Sequence, residues 1–323
     1  MIGVSPAYFL SHYGPGFGPA ELVSGLPFLA RTGYEGFQAE VFLESALPLW
    51  TESAAKAVVD SAQANGLQCT AFVAHFLGGV FSSGPTLSKG LILDQVKSAI
   101  TVAASVTSST TAPILAMRNN RLKGSIGKDR FFILPLLAFE SLHTPETGSR
   151  FRDLIGRLIT LCESSDLRLA LELVPGNILG GPAEFLSLVA EPGFEDLGLL
   201  FDTGHLWAMG EKVQDLPRTL GHRIVATHLC DNDGIENLSL CPGDGTIPFQ
   251  ATLKALGEAG YLGSLDLEIV CPPAQVEAGY RRAFTQFRQL ADQALALTDT
   301  TIHPEHCHAT GPHTDQQPYK ETI

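Results

Sequence analysis

Short apolar runs recur along the chain, separated by longer stretches in which apolar positions follow a helical period. Runs of four to eight residues bounded by Gly, Pro, Asn or Asp read as strands buried on both faces. The candidate strands are residues 2–9, 36–42, 67–76, 112–118, 167–174, 197–202, 224–230 and 264–270. Between them, residues 51–65 carry apolar side chains at 54, 55, 58, 59 and 62, the stripe of a helix lying on a sheet. Thr51 is placed to cap that helix and Gly66 to end it.

Strand-helix alternation with apolar strands predicts a parallel sheet covered by helices, an α/β protein. Eight strands favour a closed (β/α)8 TIM barrel over an open doubly wound sheet. The turn after the first strand, SHYGPGFGPAE, lacks the GxGxxG spacing of a dinucleotide site. The barrel is expected to be a single domain over residues 1–297. Residues 298–323 are polar and aperiodic and read as a flexible tail; their four His and one Cys offer metal chelation as the alternative. Residues 119–143 read as a long insertion after the fourth strand, with the apolar block FFILPLLAF. That block is either an extra core strand or helix, or a lid or subunit contact.

The chain has 323 residues, 45% hydrophobic and 17% charged, which suits a compact fold with a large core. Its net charge of −13 argues against a general binder of phosphate backbones, so nucleic acid is not expected as a partner. Six cysteines lie scattered without a CxxC pair and read as reduced thiols. The start MIGVSPAYFLSHYG has no basic segment before its apolar one, and no run of about 18 apolar residues occurs. The expected location is cytoplasmic, with no membrane association.

Four consecutive candidate strands end in ligand-type residues: Glu172 in LALELVPGN, Asp202 in LLFDTGH, His228 in IVATHLCDN and Glu268 in LDLEIV. Barrel chemistry collects at the C-terminal ends of the strands. The spacings of 30, 26 and 40 residues correspond to one β/α unit per step, so the four should converge above the barrel. Alone, Glu172 could pair with an Arg and His228 could be a satisfied core histidine. Three carboxylates and an imidazole together repel unless protons or a cation neutralise them. A mainly oxygen set with one His suits Mn²⁺ first, with Mg²⁺, Co²⁺ or Zn²⁺ as alternatives. Removing a proton from carbon next to a carbonyl gives a high-energy enediolate, which a cation stabilises while a carboxylate takes the proton. Two carboxylates on opposite sides would yield epimerisation. His75 in FVAHFLGG, Asp231 in HLCDND and Glu40 in FQAEVF are either core residues or pocket residues. His143, before Thr144-Pro145, is a surface residue at a helix start unless the long loop carries it into the pocket.

These strand ends, with the following CPGDGTIPF, resemble the sugar isomerase and epimerase superfamily of xylose-isomerase-like TIM barrels, most strongly over about residues 165–290. The resemblance implies that Glu172, Asp202, His228 and Glu268 hold one metal ion and that Glu172 and Glu268 also handle protons. It further implies that His205 of the DxxH motif contacts a substrate oxygen. The implied activity is metal-dependent isomerisation or epimerisation of a small keto-sugar or polyol. A lyase is the alternative, as in the inosose dehydratases of the same superfamily. SPAYFL, FVAHFL and the apolar insertion resemble the large subunit of bacterial C-glycoside deglycosidases, which eliminate an aglycone from a 3-keto-glucoside and need a small subunit. The implied assembly is a homo-oligomer or a hetero-oligomer with such a subunit. The zinc AP endonucleases of the superfamily need further ligands. Here the fourth candidate strand ends MRNN and their Asp-x-His place reads Asn237-Leu238-Ser239, so that site is incomplete. No basic phosphate site follows strands seven and eight, which points to an unphosphorylated sugar. A non-catalytic structural barrel is the remaining reading, and the intact ligand set argues against it.

Overall fold

A computed structural model describes residues 1–107 and 130–300, with side chains as far as residue 294. Eight parallel strands run in order around one sheet: β1 (Ile2–Val4), β2 (Gly36–Glu40), β3 (Gln68–Val73), β4 (Phe131–Leu136), β5 (Arg168–Leu173), β6 (Gly198–Asp202), β7 (Ile224–His228) and β8 (Leu265–Leu267). β1 pairs with both β2 and β8. The remaining seam, β7 to β8, closes through the parallel bridge Leu229–Leu267, with Leu229 N–H donating to Asp266 O at 2.9 Å and Glu268 N–H to Leu229 O at 3.0 Å. The result is the expected TIM barrel.

Helices on the outside follow the strands, among them Pro19–Thr32, Glu52–Ala64, Leu93–Val106, Pro145–Glu163 and Phe249–Glu258. The helix expected over 51–65 forms as Glu52–Ala64, with Thr51 Oγ1 accepting Ala54 N–H at 3.2 Å and Gly66 turning at φ 66°. Alternation along the strands sorts side chains to two faces. Phe72, Phe132, Leu171, Leu199 and Phe201 join the large core between sheet and helices. Ala71, Val73, Ile133, Ala170, Leu200 and Ala226 form a second, smaller core inside the barrel.

Three expectations change. The fourth strand is Phe131–Leu136, from the block assigned to an insertion; it pairs with β3 and β5 and is buried throughout. Residues 112–118 and residues 119–129 of the expected insertion lie outside the described residues. The first strand stops at Val4, because Pro6 starts a helix over Ala7–Tyr13. The last helix, Val276–Thr300, continues past the expected tail boundary at 298, and the rest of that tail lies outside the described residues. No disulfide joins the cysteines among the described residues, and no described helix is long and apolar enough to cross a membrane.

Candidate metal centre

Glu172, Asp202 and His228 each lie two residues beyond an interior-core residue, Ala170, Leu200 and Ala226, and so point the same way. Glu268 follows β8 by one residue, fixed by its N–H bond to Leu229 across the barrel seam. One ligand atom from each of the four falls within 4.8 Å of the others. His228 Nδ1 lies 2.8 Å from Glu172 Oε1, 3.3 Å from Glu268 Oε1 and 3.7 Å from Asp202 Oδ2.

Glu172, Asp202 and His228 are buried and Glu268 is partly so, and their titration reflects the crowding. Burial pushes Glu268 well above the usual carboxylate range, with Asp202 and Glu172 adding to it against the pull of His228. Burial works against the charged form of His228, but Glu268 and Glu172 more than offset it and hold the imidazole well above its usual value. Burial also opposes ionisation of Asp202, yet His205 and His228 keep its carboxyl below the usual range. Asp202 Oδ1 accepts the His205 N–H at 2.7 Å and caps the helix Thr203–Ala208. Its Oδ2, buried and turned toward the cluster, has no hydrogen-bond partner. An orphaned carboxylate oxygen among two further carboxylates and an imidazole fits a divalent cation, which would take one donor from each residue.

Three of the four, Glu172, His228 and Glu268, line a cleft of about 150 Å³ together with Leu10, Phe42, Leu137 and Val174. Glu40, His75 and His205 also line it, so the structure brings these three expected residues to the site. The His75 ring stacks on Phe42, with centroids 4.0 Å apart, and burial lowers its pKa against the opposing charge of Glu172. Burial, reinforced by Glu172 and opposed by His228, pushes the Glu40 carboxyl up to about 8. Near neutral pH Glu40 therefore holds a proton that it can donate to a ligand oxygen. Asn237, in the place of the missing Asp-x-His aspartate, lies with Nδ2 3.3 Å from His205 Nδ1.

Two expected residues are not brought there. Asp231 Oδ1 accepts the N–H groups of Asn232 and Ile247, at 2.9 and 3.0 Å, and Oδ2 accepts that of Gly243 at 2.8 Å. Its carboxylate holds the loop CPGDGTIPF in shape and is not part of the cleft wall. His143 is exposed, its ring 5.0 Å from that of Phe139, and is also absent from the cleft wall. The sequence reading missed Gln38, whose Oε1 lies 2.9 Å from His228 Nε2. It shares the strand face of Glu40 two residues on, and that parity could have marked it.

Parallel strands closed into a barrel, with a carboxylate-rich cluster at their C-terminal ends, define a (β/α)8 protein with a candidate metal centre at its mouth. Residues 26–290 match the family model described as Xylose isomerase-like TIM barrel, and the chain belongs to that family. Inosose isomerase of Bacillus velezensis is 24% identical over 156 residues, 46% of this chain and 56% of that protein. The chain spans about half the length of the curated relatives it matches. Among solved structures, an L-ribulose 3-epimerase superposes with a TM-score of 0.68 at 17% identity, covering 94% of this chain and 98% of that one. The IolI protein with a bound zinc atom superposes with a TM-score of 0.63 at 16% identity, covering 94% and 99%. At these identities the structural likeness speaks to the fold.

Proposed function

We propose that the protein is a divalent-metal-dependent enzyme that isomerises or epimerises a small keto-sugar or polyol by removing a proton next to a carbonyl. The observation that carries this reading is the meeting of three carboxylates and one imidazole within 4.8 Å, with Glu172, His228 and Glu268 lining a cleft. Glu172, Asp202, His228 and Glu268 would hold the ion. When bound, it supplies Lewis-acid stabilisation of the charge that develops on the substrate oxygens. Glu172 and Glu268, from different strands, are the groups that take a proton from carbon and return one to it. His205, His75 and Glu40 hold substrate hydroxyls, while Leu10, Phe42 and Val174 keep water from the reacting carbon. Mn²⁺ is the expected ion, with Zn²⁺, named for the IolI neighbour, as the nearest rival. The activities named for the similar proteins, inosose isomerase and L-ribulose 3-epimerase, support the substrate class. No Lys or Arg is among the described residues lining the cleft, which favours an unphosphorylated sugar.

The test is elemental analysis of the purified protein beside a Glu172→Gln/Glu268→Gln double variant, then NMR of ketohexoses and inososes with the protein in D₂O. About one ion per chain, lost in the variant, is expected from four converging ligands. Deuterium should enter at carbon next to the carbonyl. A wild type that holds no ion after reconstitution overturns the reading.

A lyase reading has one observation of its own. All three segments that carry the deglycosidase resemblance reach the cleft, SPAYFL through Pro6, Ala7 and Leu10, FVAHFL through Val73 and His75, and the apolar block through Pro135 and Leu137. Release of an aglycone from a 3-keto-glucoside, and a small subunit co-eluting on size exclusion, would select it. A single self-associated chain, recovered from the cytoplasmic fraction, would favour the isomerase.

A further inference from the structure

A second polar layer lies beneath the ligand ring. Gln38 on β2 and Asp266 on β8 each precede a site residue, Glu40 and Glu268, by two positions, and both are fully buried. Gln38 Nε2 donates to Asp266 Oδ2 at 2.8 Å, and Gln38 Oε1 faces His228 Nε2 at 2.9 Å. Asp266 Oδ2 also accepts from Ser264 Oγ at 2.5 Å and from Thr70 Oγ1 at 3.4 Å. The Gln38–Asp266 contact crosses β1, which lies between β8 and β2. The crossing is open because β1 has Gly3 there, paired with Asp266 on one side and Gly36 on the other. A Cβ on Gly3 would collide with Asp266 Oδ1.

A glutamine amide has one donor end and one acceptor end. Asp266, held as an acceptor by Ser264 and Thr70, takes the donor end, so the amide oxygen is left facing His228. An oxygen there requires a proton on Nε2. His228 keeps that proton in either charge state, so the nitrogen that can give up its proton to an entering cation is Nδ1, which faces Glu172, Asp202 and Glu268.

We propose that Gln38 and Asp266 are positioning residues that set the tautomer of His228, keeping the proton on Nε2 and Nδ1 available to the divalent ion. The inference rests on the metal reading above and deepens it. Outer partners that orient a ligand histidine typically account for 10–100-fold in metal affinity. Gln38→Met keeps the volume and removes the acceptor; Gln38→Glu keeps an oxygen facing Nε2.

The experiment titrates zinc, which is diamagnetic, into chelator-treated protein by calorimetry. It then records ¹⁵N-histidine NMR of the zinc-loaded forms, with His228 assigned from the spectrum of a His228→Gln variant. The wild type should show the proton on Nε2 and zinc on Nδ1. Gln38→Met should bind zinc 10–100-fold more weakly and Gln38→Glu should recover most of that loss. A proton on Nδ1 in the zinc-loaded wild type, or zinc on Nε2, overturns the proposal whether or not either variant folds. Equal zinc affinity in wild type and Gln38→Met overturns it while leaving the metal centre standing. A wild type that binds no zinc and no manganese brings down the metal reading, and this proposal with it.

Discussion

Glu172, Asp202 and Glu268 face one another around His228, whereas Asp231, three residues past His228, faces backbone N–H groups of the next loop. Identical chemistry at neighbouring strand ends thus serves two ends, and substitution should separate them. Asp231→Ala leaves three N–H groups without their acceptor, and a loss of about 3 kcal/mol or more is expected at roughly 1–3 kcal/mol per stranded buried group. Urea denaturation measures it. Glu40 gives a pH signature. Its folded pKa of about 8 lies above the ordinary 4.5, so between those values the native state binds more protons than the unfolded chain. Stability contributed by this group is full below about pH 4.5 and lost as pH rises through 8. Glu40→Gln should flatten that fall, seen as urea midpoints at pH 5, 7 and 9 in chelator-treated protein. The convergence of Glu172, Asp202, His228 and Glu268 was legible in the sequence because each ends an apolar run at a regular spacing. Asp231 was not separable from them, since a carboxylate in HLCDND reads the same whether it faces a cleft or a loop. Parity with Glu40 could mark the place of Gln38 but not its partner, because Asp266 lies more than 200 residues away.

Among the elements, β4 carries the largest departure from expectation. Two apolar runs, 112–118 and 131–136, compete for one place beside β3, and hydrophobicity alone does not rank them. Pro135 argues against the second run as an interior strand, since proline removes a ladder donor. The barrel accommodates it because the β3–β4 pairing ends at Val73–Ile133, two residues earlier, while the β4–β5 pairing continues to Leu136–Leu173. Phe132, fully buried and stacked on Phe72 at 5.9 Å, anchors this strand to the outer core. Phe132→Ala should cost about 3–5 kcal/mol in chemical denaturation. A loss below about 1 kcal/mol would argue against Phe131–Leu136 as the fourth strand. The neighbouring strands were legible because their runs had no rival. Their ends were not, since a strand of the interior and the first turn of a helix after it are equally apolar, as in IGVSPAYF.

For the molecule as a whole, the closing seam and the carboxylate cluster coincide. β7 and β8 stand at opposite ends of the sheet order and meet through Leu229 and Leu267, and the residues flanking that pair are His228 and Glu268. An ion gripping both is a clasp on the joint that turns a sheet into a barrel. Loading the clasp should therefore slow deuterium uptake at the amides of Leu229 and Glu268 more than at the β3–β4 pairing on the far side. At 100 times its dissociation constant the ion should also add about 2.7 kcal/mol to unfolding. Chelation that lowers the melting temperature without a local change at the seam would mean the ion stabilises the protein some other way. Where the clasp holds, a loaded barrel opens at its seam less often than an empty one, and scarcity of the metal would reach the cell first as a shorter-lived protein.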